Sequence, residues 1–471
     1  MGNLFFAANI APENRTSPIT MSKKKTQYIC QSCGHAHPKW QGRCDGCGEW
    51  NTLVEEIIET PKNRFASTVS AVPVSLSKAD KTAVERIPTG FGEFDRVLGG
   101  GIVPGSVVLL SGEPGIGKST MLLQVAIRLA NAGKKILFVT GEESVGQIKL
   151  RADRLGPSGG EDSIFLLAET CSEAAVAEAG DYDAIVVDSI QAMASADLQG
   201  AAGNVSQVRQ SAAIFIELAK RSHIPVFLVG HVTKSGAIAG PKVLEHAVDV
   251  VLTLEGDSQS ELRLLRSTKN RFGATGEIGV FSMGENGFSE VENPSAAFLG
   301  HHDAPVPGST VFAGIEGNRP LFVEIQALAS PAAYGTPQRV AQGLDPRRLI
   351  MLAAILERRG GLPLSRQDLF INVVGGVNLT ERSADLAVVL SIVGSFRDKP
   401  ISDDIAVFGE IGLTGELRRA PRTPPRVKEA ARLGFSKVII PEAGEKLPKI
   451  KDLEIIRAKD IFSAFKTAFR D

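Results

Sequence analysis

The sequence predicts an α/β protein in which a small four-cysteine zinc knuckle precedes a mostly parallel α/β domain, and a second α/β domain follows. Three features support this fold class. The chain has 471 residues, too many for one ordinary core. Four of its five cysteines fall within the eighteen positions from Cys30 to Cys47. From residue 86 onward, apolar strands alternate with amphipathic helices, which indicates parallel βαβ units.

Changes in patterning along the chain divide it into segments. The stretch after the cysteines mixes Pro, Ser, Thr and charged residues without sustained periodicity, as is typical of a linker. The alternation of strands and helices breaks near Asn293. We therefore predict a disordered extension over 1–27, a zinc finger over 28–52, a linker over 53–85, a first α/β domain over 86–292 and a second one over 300–471.

Composition narrows the class of protein. No apolar run approaches the roughly 18 residues that span a bilayer, so we expect no membrane segment. The first twenty residues lack a basic region and a cleavage site, and therefore do not resemble a secretory signal. Clustered cysteines in a chain this long favour a reducing cytoplasm over a disulfide framework. The net charge of −1 means that any DNA binding must come from local basic patches.

The cysteines of CQSC and CDGC have the spacing C-x2-C-x10-C-x2-C. Two such knuckles present four thiolates to one tetrahedral ion, so we predict a structural Zn²⁺ site. The alternatives are two disulfides or idle thiols, which a reducing compartment disfavours. The predicted ligands are Cys30, Cys33, Cys44 and Cys47.

Other residues of the knuckle region are predicted to have supporting roles. With four thiolates available, His35 and His37 are expected at the surface rather than on the metal. The only two tryptophans, Trp40 and Trp50, flank the second knuckle. Packing over the metal core is the favoured role for these rings, and stacking on nucleic-acid bases is the alternative.

The segment GEPGIGKS matches the P-loop pattern G-x-x-x-x-G-K-[ST], and it follows an apolar strand and opens a helix. Backbone N–H groups of such a loop wrap phosphate, Lys118 reaches the β and γ oxygens, and Ser119 ligates Mg²⁺. Asp188 ends the strand AIVVD, where it can hold Mg²⁺ through water. The sequence thus predicts ATP and Mg²⁺ as cofactors. The predicted binding residues of the loop are Gly112, Glu113, Pro114, Gly115, Ile116, Gly117, Lys118, Ser119 and Thr120.

Three further residues are expected at the same edge of the sheet. Glu142 and Glu143 follow the next strand, and one of them can polarise the attacking water. We favour Glu142; the alternative is that both are solvated charges near a helix start. His231, in GHVTKSG, follows another strand and can sense the γ-phosphate, or it is a buried histidine with satisfied hydrogen bonds. Lys234 lies in the glycine-containing loop that follows.

The zinc knuckle, IPTGFGEFDRVLGGG, GEPGIGKST, GEES, VVDSIQ, GHVTK and KNRFG occur in this order. From Tyr28 onward the chain closely resembles the bacterial RadA family, also called Sms. The resemblance implies a RecA-like P-loop ATPase core over 86–292 and a Lon-protease-like domain over 300–471. It also implies a DNA-dependent ATPase of recombinational repair, a hexameric ring motor related to helicases of the DnaB type that drives branch migration. The partners implied are single-stranded and branched DNA, the recombinase RecA and a replicative helicase.

In RecA-like rings ATP lies between subunits, so a neighbouring subunit must supply a cation to the γ-phosphate. Lys269 and Arg271 of KNRFG stand at alternate positions of an extended segment and project to the same side, which makes them the predicted cations. Phe272 is expected to anchor the strand and Gly273 to permit a sharp turn. A role of the motif in DNA engagement is the alternative. KNRF recurs at 62–65 without the glycine, so the tetrapeptide alone is not diagnostic.

The second α/β domain raises a different hypothesis, an ATP-dependent serine protease. By its resemblance to the Lon proteolytic domain, Ser383 stands at the nucleophile position, but the activating lysine falls at or near Pro424, which has no amine. Proteolysis is therefore not expected, and the domain is interpreted as a platform for assembly and DNA binding. A RecA-like scaffold ATPase without a DNA partner is a third alternative. The candidate phosphate contacts are Arg319, Arg339, Arg347, Arg348, Arg418, Arg419, Arg422 and Arg426.

Overall fold

The computed structural model describes residues 25–58, 75, 85–156, 159–231, 244–256, 261–300, 303–332 and 336–469. The extension up to residue 24, most of the linker and Lys234 lie outside the described residues. Within the described part of the chain, no helix is both long enough and apolar enough to cross a bilayer.

The cysteine region forms a three-stranded antiparallel sheet, here called the zinc ribbon. Its strands are β1 (Lys25–Cys30), β2 (Ala36–His37) and β3 (Leu53–Ile58), in the order β2-β1-β3. The ribbon is longer than the 28–52 predicted from the sequence. The reason is that β1 and β3 pair over their full lengths, from Lys25 opposite Ile58 to Cys30 opposite Leu53.

The next described strands form a nine-stranded sheet, in which β9-β4-β8-β7-β5-β6 run parallel and β12-β11-β10 extend the β9 edge antiparallel. Strands β4, β5, β7 and β8 are buried on both faces, so their sequences are almost entirely apolar. The elements are α1 (Gly92–Leu98), β4 (Val107–Gly112), α2 (Lys118–Asn131), β5 (Ile136–Thr140), α3 (Val145–Arg154), β6 (Ile164–Ala168), α4 (Ser172–Ala177), β7 (Ala184–Asp188), α5 (Val205–Ser222), β8 (Val226–Val229), β9 (Val250–Glu255), β10 (Leu262–Asn270), β11 (Ile278–Gly284) and β12 (Gly287–Glu290).

The rest of the described chain builds a seven-stranded mixed sheet, in the order β15-β16-β14-β13-β17-β20-β21, and a small β18-β19 hairpin. A long apolar helix, α8, packs on its β13 and β14 strands. The elements are α6 (Pro294–Ala297), β13 (Ser309–Glu316), β14 (Arg319–Pro331), β15 (Arg339–Gln342), α7 (Pro346–Arg358), β16 (Gln367–Val373), α8 (Asp385–Arg397), β17 (Ile405–Val407), β18 (Glu410–Ile411), β19 (Leu417–Arg418), α9 (Thr423–Arg432), β20 (Lys437–Pro441), β21 (Glu454–Ala458) and α10 (Ile461–Ala468).

One hydrophobic cluster extends across the junction between the two α/β domains. Leu264 of β10 and Ile278 and Val280 of β11 belong to the same buried cluster as the apolar side chains of the C-terminal sheet. Ion pairs cross the same junction. Arg319 pairs with Glu93, and Arg266 Nη1 lies 2.5 Å from Glu316 Oε2.

Several arginines proposed as phosphate contacts are instead used inside the protein. Arg319 takes part in the domain junction, and Arg348 forms a two-pronged pair with the buried Asp385. Arg426 is 1% exposed. Arg339 donates hydrogen bonds to backbone carbonyls, and its Nη2 lies 2.8 Å from the carbonyl oxygen of Leu364. The interpretation of Arg319, Arg348 and Arg426 as phosphate contacts is wrong, because each is held in an ion pair with a carboxylate distant in sequence and has little exposed surface.

Candidate nucleotide site and zinc centre

The P-loop connects β4 to α2, as its sequence predicts. Gly117 has φ of 110°, and a Cβ there would lie 2.7 Å from the Phe288 ring, so only glycine fits. Lys118 opens α2, and its Nζ donates to the carbonyls of Gly112 at 3.0 Å and Glu113 at 2.9 Å. The amine therefore lies within the curve of the loop, where it can meet phosphate oxygens.

Burial lowers the pKa of Lys118 to about 8, against the opposing attraction of Asp188 and Glu142. Phosphate oxygens favour the charged amine, so nucleotide binding must raise this pKa again. Below about pH 8 the Lys118 amine is charged in both the free and the nucleotide-bound protein. Above that pH the free amine is neutral, so nucleotide binding requires proton uptake.

We expect ATP affinity to fall by about tenfold per pH unit above roughly pH 8. Titration calorimetry at about pH 9, in two buffers of different ionisation enthalpy, should reveal close to one proton taken up per ATP bound. Lys118→Ala is the control and should show no such uptake. An affinity that stays constant through this pH range would contradict the prediction.

Ser119 and Asp188 provide a fitting environment for Mg²⁺. Asp188 ends β7, is 7% exposed, and accepts a hydrogen bond from the Ser119 side chain. Burial, the largest effect, raises the pKa of the Asp188 carboxyl. A bound cation would reverse that shift by stabilising the carboxylate. A hydroxyl and a carboxylate are the hard oxygen ligands that Mg²⁺ prefers beside nucleotide phosphates.

The structure distinguishes the two glutamates that follow β5. Glu142 accepts a hydrogen bond from Ser189 Oγ, and its Oε1 lies 3.4 Å from His231 Nε2. Glu143 is instead paired with Arg151 of α3. Glu142 is close enough to the P-loop lysine to help raise the pKa of Lys118, whereas Glu143 is tied to the neighbouring helix. Sequence reasoning missed Ser189, although its place directly after the strand-end aspartate was a usable signal.

KNRFG and the P-loop lie at opposite ends of the strands of the sheet. Arg271 Nη1 lies 3.1 Å from Asp249 Oδ1, and Asp249 directly precedes β9. The P-loop adjoins the other end of that strand, where Gly112 pairs with Leu254. Asp249 and Leu254 are five residue steps apart along the extended chain, a distance of about 17 Å. The motif therefore cannot reach the nucleotide site of its own chain.

The cations of KNRFG have partners in the free chain. Lys269 Nζ donates to the carbonyls of Glu245 at 2.6 Å and Val248 at 2.8 Å. Arg271 and Lys220 share the buried carboxylate of Asp249. Both motif cations thus contact the 245–249 segment, in agreement with the expectation that they project to one side.

Gly273 lies in a bend after β10, where the sequence predicts a sharp turn, and it also permits a close approach of the backbone. A Cβ at Gly273 would lie 3.1 Å from the Cα of Gly99, so the glycine permits two backbone segments to approach. Asn270 Nδ2 donates to the carbonyls of Val97 and Leu98 at the end of α1. KNRFG is therefore held against the end of the first helix of its domain.

The four cysteines converge as a metal site requires. Their sulfur atoms all lie within 4.8 Å of one another, and the Cys30–Cys47 and Cys33–Cys44 pairs are each 3.6 Å apart. Four Zn–S bonds of about 2.3 Å in a tetrahedron need sulfur separations of about 3.8 Å. The thiolates therefore fit Zn²⁺ and leave it no open position.

Two sequence-based interpretations in the ribbon are wrong. His37 is not at the surface: it is 3% exposed, and its Nε2 lies 3.5 Å from Cys44 Sγ. It is a second-sphere partner that can donate to the metal-bound sulfur. The tryptophans do not pack over the metal core, since Trp40 is 57% and Trp50 69% exposed. Leu53 and the cysteines themselves fill that small core.

Without metal we expect the ribbon to unfold while the nine-stranded sheet stays intact. The reason is size: the buried core consists of Cys30, Cys44 and Leu53, and a unit of under about 40 residues usually needs a metal or disulfide. Hydrogen exchange on Cys44→Ser should show loss of protection across 25–58. Cys171→Ser, outside the centre, is the matched control. Retained protection in Cys44→Ser would contradict the prediction.

Comparison with known proteins gives a consistent result for each part of the chain. The rubredoxin metal binding domain family matches residues 28–55, the KaiC ATPase family matches 87–159, and the family of subunit ChlI of Mg-chelatase matches 348–444. The DNA repair protein RadA of Bacillus subtilis is 49% identical over 95% of this chain and 99% of its own length. The chain belongs to the RadA family.

Other RadA proteins agree in length and identity. That of Listeria monocytogenes is 47% identical over 96% of this chain and 100% of its own, and that of Escherichia coli is 46% identical over 93% and 97%. A solved RadB recombinase covers 43% of this chain at 23% identity, with a TM-score of 0.36. As a RadA-family protein, the chain has a RecA-like ATPase core with ATP and Mg²⁺ as cofactors, and a zinc ribbon that binds Zn²⁺.

The Lon-like domain surrounds Ser383 with an acid and a guanidinium. Its Oγ donates to Glu381, which also pairs with the buried Arg426. Pro424 lies in the first turn of α9, and Lys428 is exposed on that helix. Burial lowers the pKa of Arg426, but the group remains a cation and cannot accept the serine proton.

Proposed function

We propose that this RadA-family chain is a DNA-dependent ATPase of recombinational repair that assembles into a hexameric ring and drives branch migration of recombination intermediates. The observation that carries the proposal is the position of KNRFG. Its cations lie about 17 Å along the sheet from the P-loop of the same chain. A nucleotide site that uses them must lie between two subunits, as in a ring motor.

We assign roles within that site that agree with these contacts. The P-loop amides and Lys118 hold the phosphates, and Ser119 with Asp188 holds Mg²⁺. Glu142 acts as the base that orients the attacking water, and His231, close to the same carboxylate, responds to the γ-phosphate. Lys269 and Arg271 of the neighbouring subunit stabilise the charge that develops in the transition state.

We further propose that the same part of the chain couples ATP hydrolysis to DNA. Strand β10 carries KNRFG at one end and Arg266 in its interior. Arg266 pairs with Glu316 of the Lon-like domain and with Glu255 of β9. Glu255 directly follows Leu254, the residue of β9 that pairs with Gly112 of the P-loop. A change at the nucleotide can therefore reach the C-terminal platform through one strand. Single-stranded and branched DNA are the proposed substrates in the cytoplasm, with a recombinase and a replicative helicase as proposed partners.

The proposal is tested by ATP hydrolysis with and without single-stranded DNA, at low and high salt. We expect stimulation by DNA, and we expect it to fall steeply with salt because phosphate contacts release counterions. Lys118→Ala should be inactive under every condition, which identifies the measured activity as that of this site. Hydrolysis that is unaffected by DNA would refute the motor and favour a scaffold ATPase.

A further inference from the structure

The zinc ribbon exposes two large aromatic rings that lie outside its buried core. Trp40 and Trp50 are the only tryptophans in the chain, and they flank the second knuckle. Trp40 is 57% exposed and Trp50 is 69% exposed. Rings of this size usually bury most of their surface, so such exposure points to a binding surface.

The ribbon is oriented so that these rings remain accessible. Its first knuckle contacts α5 of the ATPase domain, where Arg209 Nη1 donates to the carbonyl of Gly34 at 3.3 Å. The amide of Val205 donates to Gln31 at 3.5 Å. The second knuckle, with the tryptophans, takes no part in these two contacts.

Cations accompany the rings. The Arg43 guanidinium lies 6.0 Å from the centroid of the Trp50 ring, and Lys39 directly precedes Trp40 and is exposed. Of the acidic side chains nearby, Glu49 accepts a hydrogen bond from Ser32, whereas the Asp45 carboxylate is 75% exposed and lies 3.7 Å from His37 Nδ1. Flat rings flanked by positive charge are what successive bases and phosphates of a nucleic acid strand require.

We propose that Lys39, Trp40, Arg43 and Trp50, here called the tryptophan surface, stack the bases of single-stranded DNA and contact its phosphates. The assignment rests on the proposed DNA substrate and adds a binding site for it outside the ring motor. Duplex DNA does not fit, because its base faces are already stacked on one another. The ribbon would thus hold unpaired strand beside the ATPase domain.

A protein partner would favour a different surface. Protein interfaces have a packed apolar centre in which charged residues are depleted. Apart from the tryptophans, Val54 is the only large apolar side chain that is exposed among the ribbon residues whose exposure the structure describes. Two separate rings with adjacent cations are closer to a base-stacking platform.

The chain itself supplies the probe. Because both tryptophans lie on this surface, intrinsic tryptophan fluorescence reports on it alone. We expect saturable quenching when the full-length zinc-bound protein is titrated with a short oligodeoxythymidylate. An abasic strand of the same length, which offers phosphates without bases, and a blunt duplex should quench far less.

Variants test the contribution of each ring to binding, measured by anisotropy of a labelled oligodeoxythymidylate. Trp40→Ala and Trp50→Ala should each weaken binding by roughly 5- to 100-fold, and Trp→Phe at either position should restore most of it. Phe165→Ala is the matched control, since Phe165 of β6 is also an exposed aromatic residue, at 43%, and lies outside both the ribbon and the Lon-like domain. Zinc content confirms that each variant ribbon is folded.

The outcomes separate this inference from the proposed function. If the wild type binds the strand but the abasic strand quenches equally, or the alanine variants bind as the wild type does, the tryptophan surface is not a stacking site and the ATPase proposal stands. If the wild type neither binds DNA nor is stimulated by it, both fail. Loss of binding to a recombinase by zinc-loaded alanine variants, with DNA binding intact, would overturn the inference in favour of a protein partner.

Discussion

Replacing Arg271 with alanine is expected to lower ATP hydrolysis by roughly 10³- to 10⁵-fold, the effect of removing an arginine that acts in trans on a transferring phosphoryl group. The fold should survive, because Asp249 keeps Lys220 at 2.6 Å and the amide of Val107 at 3.0 Å as partners. ATP binding should persist as well, since the P-loop lies at the opposite end of the strands from Arg271. Steady-state hydrolysis and nucleotide binding measured on the same preparation check both statements.

Mixing two inactive variants gives a stricter test of the action in trans. Lys118→Ala lacks a working P-loop but keeps its KNRFG, and Arg271→Ala has the opposite defect. In an equal mixture that exchanges subunits, roughly a quarter of the interfaces would combine an intact P-loop with an intact arginine. ATP hydrolysis should recover in proportion to the fraction of such complete interfaces. If Arg271→Ala hydrolyses ATP normally but no longer responds to DNA, the motif is a DNA sensor and the trans-acting role is rejected.

Glu142→Gln is expected to slow hydrolysis by about 10²- to 10⁴-fold while ATP binding is retained, because an amide cannot accept a proton from water. The substitution keeps the shape of the side chain and one oxygen for the Ser189 hydroxyl. A fall in kcat with little change in KM is the expected pattern, since the effect is confined to the transition state.

Glu143→Gln is the matched control for that measurement. The two glutamates are adjacent, but Glu143 pairs with Arg151, whereas Glu142 approaches Ser189 and His231. We expect the control to change kcat by less than about tenfold. Equal losses in the two variants would show that neither carboxylate is the specific base and that the loop acts as a unit.

The parts of the site that sequence could predict are those with local geometry. Phosphate binding by Gly112–Ser119 depends on one strand, one turn and one helix start, all written in consecutive residues. The same holds for the zinc ligands, whose spacing of two residues within each pair sets the knuckle. Local signals of this kind survive without knowledge of the rest of the fold.

The parts that sequence could not predict depend on distant partners. Arg348 and Arg426 resemble surface cations until the fold brings them to Asp385 and Glu381. His37 becomes a partner of Cys44 because β2 lies beside the metal site, and composition has no measure of that proximity. The exposure of Trp40 and Trp50 was missed for the converse reason: the general tendency of tryptophan to be buried outweighed the small size of the ribbon core.

The core that joins the two α/β domains limits what genetics can learn from truncation. Because Leu264, Ile278 and Val280 lie in one apolar cluster with the C-terminal sheet, a deletion of everything after residue 300 would expose one side of the strand that carries KNRFG. A null phenotype from such an allele would reflect a damaged ATPase domain and would not reveal what the Lon-like domain itself does. Point substitutions on the outer faces of the Lon-like domain can separate loss of that domain's function from damage to the ATPase domain.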